Sequence, residues 1–134
     1  MRVKNVNHIG IVVRSLKDTL ITFSELFGLK AEEIMELEQF DVKAALIPLN
    51  EISLELIQPA SPNSDAEHFL KERGEGLHHI CFEVEDIKEA IEELKRNKIK
   101  LLSEKPLEGV GGIITFIHPD HTNNALIELM EKTR

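Results

Sequence analysis

Two histidines and two glutamates recur in this chain at matched positions. VNHIGIVVRSLKDTL (residues 6 to 20) and LHHICFEVEDIKEAI (residues 77 to 91) align at a constant offset of 71, which sets His8 opposite His79 and Pro48 opposite Pro119. Two extra residues in the second half then bring ISLELIQ (52 to 58) opposite ALIELME (125 to 131), and Glu55 falls opposite Glu128. Imidazole and carboxylate are the donor set for a divalent cation. Two of each would suit a six-coordinate ion that keeps open water positions. A carboxylate that interrupts an otherwise apolar strand is also expensive to bury without a partner, and a metal would account for both Glu55 and Glu128.

The elements that must position these groups follow the same repeat. Each copy opens with a strand, His8–Val13 and His79–Val84, that leads into a helix with a start signal. Ser15 with Asp18, and Asp86 with Glu89, have the spacing of an N-cap and its third-position acid. Leu16, Leu20, Phe23 and Phe27 predict one apolar helical stripe, and Ile87, Ala90, Ile91 and Leu94 the other. Gly28 and Asn97 are C-terminal stops. Strands are expected over 30–37, 41–49 and 52–58 in the first copy and over 99–103, 113–118 and 125–131 in the second. A helix over 65–73, capped by Ser64 and ended by Gly74, links the two copies. The pattern is βαβββ written twice in one domain, with modules at about 1–60 and 75–134 and the linker helix at about 64–74. This predicts an α+β fold with a curved, eight-stranded mixed sheet around a metal-binding cavity and helices on the outer face.

Strand alternation then sorts the faces. Ile9, Ile11 and Val13, like Ile80, Phe82 and Val84, should pack against helices. His8, Gly10 and Val12, and His79, Cys81 and Glu83, point the other way, as do Glu55 and Glu128. His8, Glu55, His79 and Glu128 are therefore the candidate metal ligands. His78 alternates onto or just before the helix-packed side, with strand-end capping or support as its role. Gln58 alternates onto the wrong face to be a ligand. Cys81 reads as a small packing residue beside His79, and His68 and His121, which lack repeat partners, as surface residues.

Composition narrows the function classes. A formal charge of −8, with no Trp or Tyr, disfavours nonspecific nucleic-acid binding. No apolar stretch approaches the roughly 20 residues of a membrane span, and the N-terminus shows no apolar signal region. The single cysteine excludes an internal disulfide and suits a reducing cytoplasm.

The duplicated His…Glu module resembles the vicinal oxygen chelate superfamily over nearly the whole chain. Within it the chain is most similar to the methylmalonyl-CoA epimerase family. The motifs are HIGIVV, SPNSDAEHFLKERGEGLHHICFEVEDI, EKPLEGVGG and FIHP followed by LIELME. The resemblance implies a divalent metal (Co, Ni, Zn, Mn or Fe) on His8, Glu55, His79 and Glu128. It also implies an acyl-CoA substrate epimerised at C2 between 2R and 2S forms, by proton removal and return through a metal-stabilised enolate. Glu128 is then an acid/base group as well as a ligand. Some family members carry a second Glu two residues into the strand after an EQ-containing turn. Here that turn is Glu38–Gln39, and Lys43 stands at the matching position. Lys43 and Gln39 are candidate substrate contacts, as are Gly111 and Gly112 of the GVGG loop, whose alternative role is a flexible connector, and His118 of FIHP. The same metal pattern belongs to lactoylglutathione lyases, which isomerise hemithioacetals. They differ in having an aromatic pair where this chain reads TFSELFG and a DPDG turn where it reads FIHPDHTNN. Non-catalytic ligand-sequestering proteins share the fold but usually lose the ligands. A homodimer is expected from the exposed sheet edges.

Overall fold

The computed structural model describes residues 1–133. The chain runs β1 (Val3–Val12), α1 (Leu16–Phe27), β2 (Glu33–Leu37), β3 (Val42–Leu49), β4 (Ile52–Pro59), α2 (Asp65–Arg73), β5 (Gly76–Val84), α3 (Ile87–Arg96), β6 (Leu107–Glu108), β7 (Gly112–Ile117) and β8 (Ile127–Lys132). Short 3₁₀ turns occupy Glu38–Phe40 and Pro119–His121. The strands hydrogen-bond in the order β2-β3-β4-β1-β5-β8-β7-β6 as one eight-stranded sheet. It is mixed: β5 and β8 are parallel, whereas β2–β3, β3–β4, β6–β7 and β7–β8 are antiparallel. Among the described residues no helix is long and apolar enough to cross a membrane.

Two compact units divide the chain. One joins Met1–His8 to the chain from His79 onward, and the other is Ile9–His78. In the second, α1 begins where the Ser15 side chain accepts from the Asp18 N–H and ends at Gly28, whose φ of 68° lies in the left-handed region that glycine enters without strain. Its Leu16, Leu20 and Phe23 pack on Val13, Ala45, Ile47 and Leu56. Leu56 and Ile47 are wholly buried, and each such side chain stabilises by roughly 1.5–3 kcal/mol. Phe27 departs from the predicted stripe: it is the last residue of the helix, 62 % exposed, and meets the Phe23 ring edge to face at a centroid separation of 5.5 Å. Helix α2 is capped by Ser64 as expected. Its Ala66 and Leu70 pack on Val12, Val42 and Ile57. These are the strand neighbours of Val13 and Leu56, so they point the opposite way.

In the other unit, α3 packs Ile87, Ala90, Ile91 and Leu94 on Val84, Ile117 and Leu129, with Phe82 alongside. The strand expected over 99–103 does not form. Leu101 makes only an isolated bridge to Ile117, and the edge partner of β7 is instead the two-residue β6. The Leu102 N–H donates to the Phe116 carbonyl at 2.9 Å, and further on Pro106 has no N–H to donate.

Candidate metal centre

The ladder of β5, β8 and β7 sets the register of the site. Cys81 lies opposite Glu128 on the parallel side, and Phe116 lies opposite Glu128 on the antiparallel side. Alternation places Leu129 in the α3 core and Glu128 on the other face, which it shares with His79, Cys81 and Glu83 on β5. His8, near the end of the β1 segment in this unit, joins them. His8, His79, Glu83 and Glu128 are all buried.

The donor atoms converge. His8 Nε2 lies 3.0 Å from His79 Nε2, and Glu128 Oε1 lies 3.0 Å from the first and 3.1 Å from the second. The two imidazoles meet edge to face at a centroid separation of 5.0 Å, and Phe116 packs against His79 at 6.0 Å. Burial alone would push the Glu128 carboxyl up. The hydrogen-bonding and charge influence of His79 and His8 outweighs it and holds the group down at about 2, so Glu128 is a carboxylate at neutral pH. Even so, the short contacts to both rings are poorly directed, and Glu128 Oε1 is buried without a well-formed hydrogen bond.

That arrangement fits a divalent cation. Three donors at a metal distance of about 2.1 Å stand about 3.0 Å apart when they share an octahedral face, and about 3.4 Å apart in a tetrahedron. The observed triangle has the octahedral spacing. A buried carboxylate oxygen that lacks a directed hydrogen bond is also what a cation would satisfy. Cys81 is fully buried, and one donor atom from each of His8, Cys81 and Glu128 lies within 4.8 Å of the others.

Two residues not singled out in the sequence support this centre. His8 Nδ1 lies 2.7 Å from Asn7 Oδ1, and Asn7 Nδ2 donates to Glu83 Oε1 at 2.8 Å. The signal for Glu83 was present: alternation placed a carboxylate on the His79 face, four residues along an apolar strand. Nothing in the sequence tied Asn7 to it.

The remaining candidates are placed as follows. Glu55 is buried on β4, opposite Leu46 of β3, and shares the face of Ser53 and Ile57. Gln58 takes the other face, where its Oε1 accepts from the Leu16 N–H at 2.7 Å at the start of α1. Its repeat partner Glu131 accepts from the Ile87 N–H at 2.9 Å at the start of α3. Lys43 is exposed, lies opposite Glu36 and Gln58, and therefore shares the face of Gln58 and not of Glu55. Gln39 is exposed on its 3₁₀ turn. Gly109 to Gly112 form a tight β6–β7 connection in which the Gly109 N–H donates to the Gly112 carbonyl at 2.8 Å. Gly111 accepts from the Thr133 N–H at 3.0 Å. A Cβ on Gly112 would stand 2.1 Å from the Glu131 carbonyl oxygen, so close backbone approach accounts for that glycine. The loop is thus a hydrogen-bonded connector. His118 is half-buried and accepts from the Asp120 N–H at 3.1 Å. His78 turns away from its neighbour and packs edge-on against Phe69 of α2 at 4.9 Å. His68 and His121 are exposed.

Comparison with known proteins gives the family. Residues 7–116 match the model of the glyoxalase/bleomycin resistance protein/dioxygenase superfamily. An uncharacterized Bacillus subtilis protein, YqjC, is 35 % identical over 94 % of this chain and 91 % of its own length. The human mitochondrial methylmalonyl-CoA epimerase is 32 % identical over 92 % of this chain and 72 % of its own length. The S115T form of Streptomyces coelicolor methylmalonyl-CoA epimerase, solved with 2-nitronate-propionyl-CoA, superimposes with a TM-score of 0.93 at 26 % identity. That match covers 98 % of this chain and 96 % of the other. The repeated module, its eight-stranded sheet and the full-length matches lead to one conclusion: the chain belongs to the glyoxalase/bleomycin resistance protein/dioxygenase superfamily.

Proposed function

We propose that the protein is a metal-dependent isomerase that interconverts the 2R and 2S epimers of methylmalonyl-CoA. The observation that carries this reading is the buried triangle of His8, His79 and Glu128, with a carboxylate held ionised between two imidazoles. The epimerase relatives support it. So does the repeat, which gives Glu55 as the fourth ligand beside His8, His79 and Glu128. A divalent ion of the Co, Ni, Zn, Mn or Fe class, when bound, supplies positive charge against the negative charge that develops on oxygen as a C–H beside a carbonyl is deprotonated.

The chain's own groups do the rest. Glu128 is ionised at neutral pH and so enters as the proton acceptor at C2. The fully buried Cys81 and the half-buried Phe116, packed against His79, limit water on its side of the reacting carbon. Epimerisation also needs a proton carrier on the opposite side. Lys43 shares the face of Gln58, which does not favour it for that role. The same reading includes a cytoplasmic homodimer. Ile34, 53 % exposed on the terminal strand β2, supports self-association, which sedimentation at micromolar concentration would register as twice the monomer mass.

The test is isotope exchange. With one methylmalonyl-CoA epimer in deuterated water, deuterium should enter C2 and the other epimer should accumulate, and Glu128→Gln should slow both by about 10²–10⁴-fold. Exchange no faster than without protein, together with brisk turnover of a glutathione hemithioacetal, would replace this reading with the lyase.

A further inference from the structure

We propose that Asn7 and Glu83 are positioning residues that fix His8 in its Nδ1–H tautomer and so present the Nε2 lone pair to a cation. The chain of donors and acceptors fixes Nδ1 as a protonated ring nitrogen of His8. Asn7 Nδ2 donates to Glu83 Oε1 at 2.8 Å, which fixes the orientation of the amide. The Asn7 amide oxygen therefore faces His8, and the ring nitrogen 2.7 Å away, Nδ1, must donate. In the neutral imidazole that one N–H leaves Nε2 its lone pair. That nitrogen is the one 3.0 Å from both His79 Nε2 and Glu128 Oε1.

Burial makes the assignment consequential. His8 and Glu83 are both buried, where an unpaired polar group is costly, so the chain resists alternatives that leave one of its members unsatisfied. Carboxylate or carbonyl partners on the far nitrogen of a ligating histidine raise its basicity and orient its ring, and their loss typically costs about 10–100-fold in metal affinity. Here the partner is an amide, itself anchored by a carboxylate from another strand. Val12 is the repeat counterpart of Glu83 at the offset of 71, and it packs apolar contacts under α2. Glu83 is therefore not a requirement of the strand pattern.

The affinity arm of the test rests on the metal reading above, and the tautomer arm does not. In metal-free, ¹⁵N-labelled full-length protein, at a pH where His8 is neutral, long-range ¹H–¹⁵N spectra should show it as the Nδ1–H form. A neutral Nε2–H form would overturn the proposal without any variant. Titration with Co²⁺ alone should show binding about 10–100-fold weaker in Asn7→Leu and in Glu83→Leu. Glu83→Gln retains an acceptor for the Asn7 amide and should stay within about threefold of wild type. Wild-type affinity in Asn7→Leu, or equal losses in Glu83→Gln and Glu83→Leu, would overturn it. A wild-type protein that binds no Co²⁺ but holds the Nδ1–H tautomer would sink the metal reading while upholding the positioning of His8.

Discussion

The two βαβββ copies agree at some positions and part at others, and both sets are informative. Gln58 and Glu131 occupy matched positions and perform the same task, each capping the first N–H of its own module's helix. Leu56 and Leu129 are matched and both buried under those helices. These shared positions are what any copy needs to seat a helix on a sheet. The residues ahead of the two matched histidines have diverged. Asn7 bonds to the ring of His8, whereas its counterpart His78 packs on Phe69. Val12 and Ile57 in the first copy receive α2, while their counterparts are Glu83 and Met130. One copy has spent this face on a linker helix, and the other has kept it polar beside the candidate centre.

The comparison breaks most sharply at the adjacent histidines. His79→Ala should purify with almost no bound metal and lose activity at least about 100-fold, because it removes a ligand. His78→Ala should keep its metal and lose only about 0.5–1.5 kcal/mol with the Phe69 ring contact. Elemental analysis beside a denaturation curve separates them, and equal metal loss in both would mean that the two rings act as a unit.

The helix seats give the next largest effect. Leu56→Ala and Leu129→Ala should each cost about 2–5 kcal/mol in urea unfolding, because both leave a cavity beneath a helix. Similar values would confirm that the copies are seated alike. A cost below 1 kcal/mol in one of them would show that its module can collapse around the gap.

The capping pair should be smaller still. Gln58→Leu and Glu131→Leu each unpair one helix-start N–H, at about 0.5–2 kcal/mol by the same measurement, with metal content unchanged. Loss of metal in Glu131→Leu would mean that the helix start and the neighbouring Glu128 are coupled through β8.

Much of this was legible in the chain. The caps at Ser15, Ser64 and Asp86 carry local signals, and each side chain accepts the predicted N–H. The separation of His79 from His78, and of Gln58 from Glu55, follows from the two-residue period of a strand. Other features had no local signature. The segment 99–103 has an ordinary apolar sequence, yet it pairs with β7 only at Leu101, opposite Ile117, while β6 takes the stretch at Ile113 and Ile114. The face taken by α2 depends on Val12 and Ile57 being apolar at the same end of their strands, a coincidence of register that spacing does not reveal.

Sequence by itself determined the repeat, the elements and the donor types, because periodicity and capping are properties of neighbouring residues. Tertiary structure alone decided that the Nε2 atoms of His8 and His79, 71 positions apart, stand 3.0 Å from each other and bracket one oxygen of Glu128. It also decided that Asn7 reaches Glu83 across 76 positions. Such distances come from strand pairing, where hydrogen bonds between remote segments set the register and the register places the side chains.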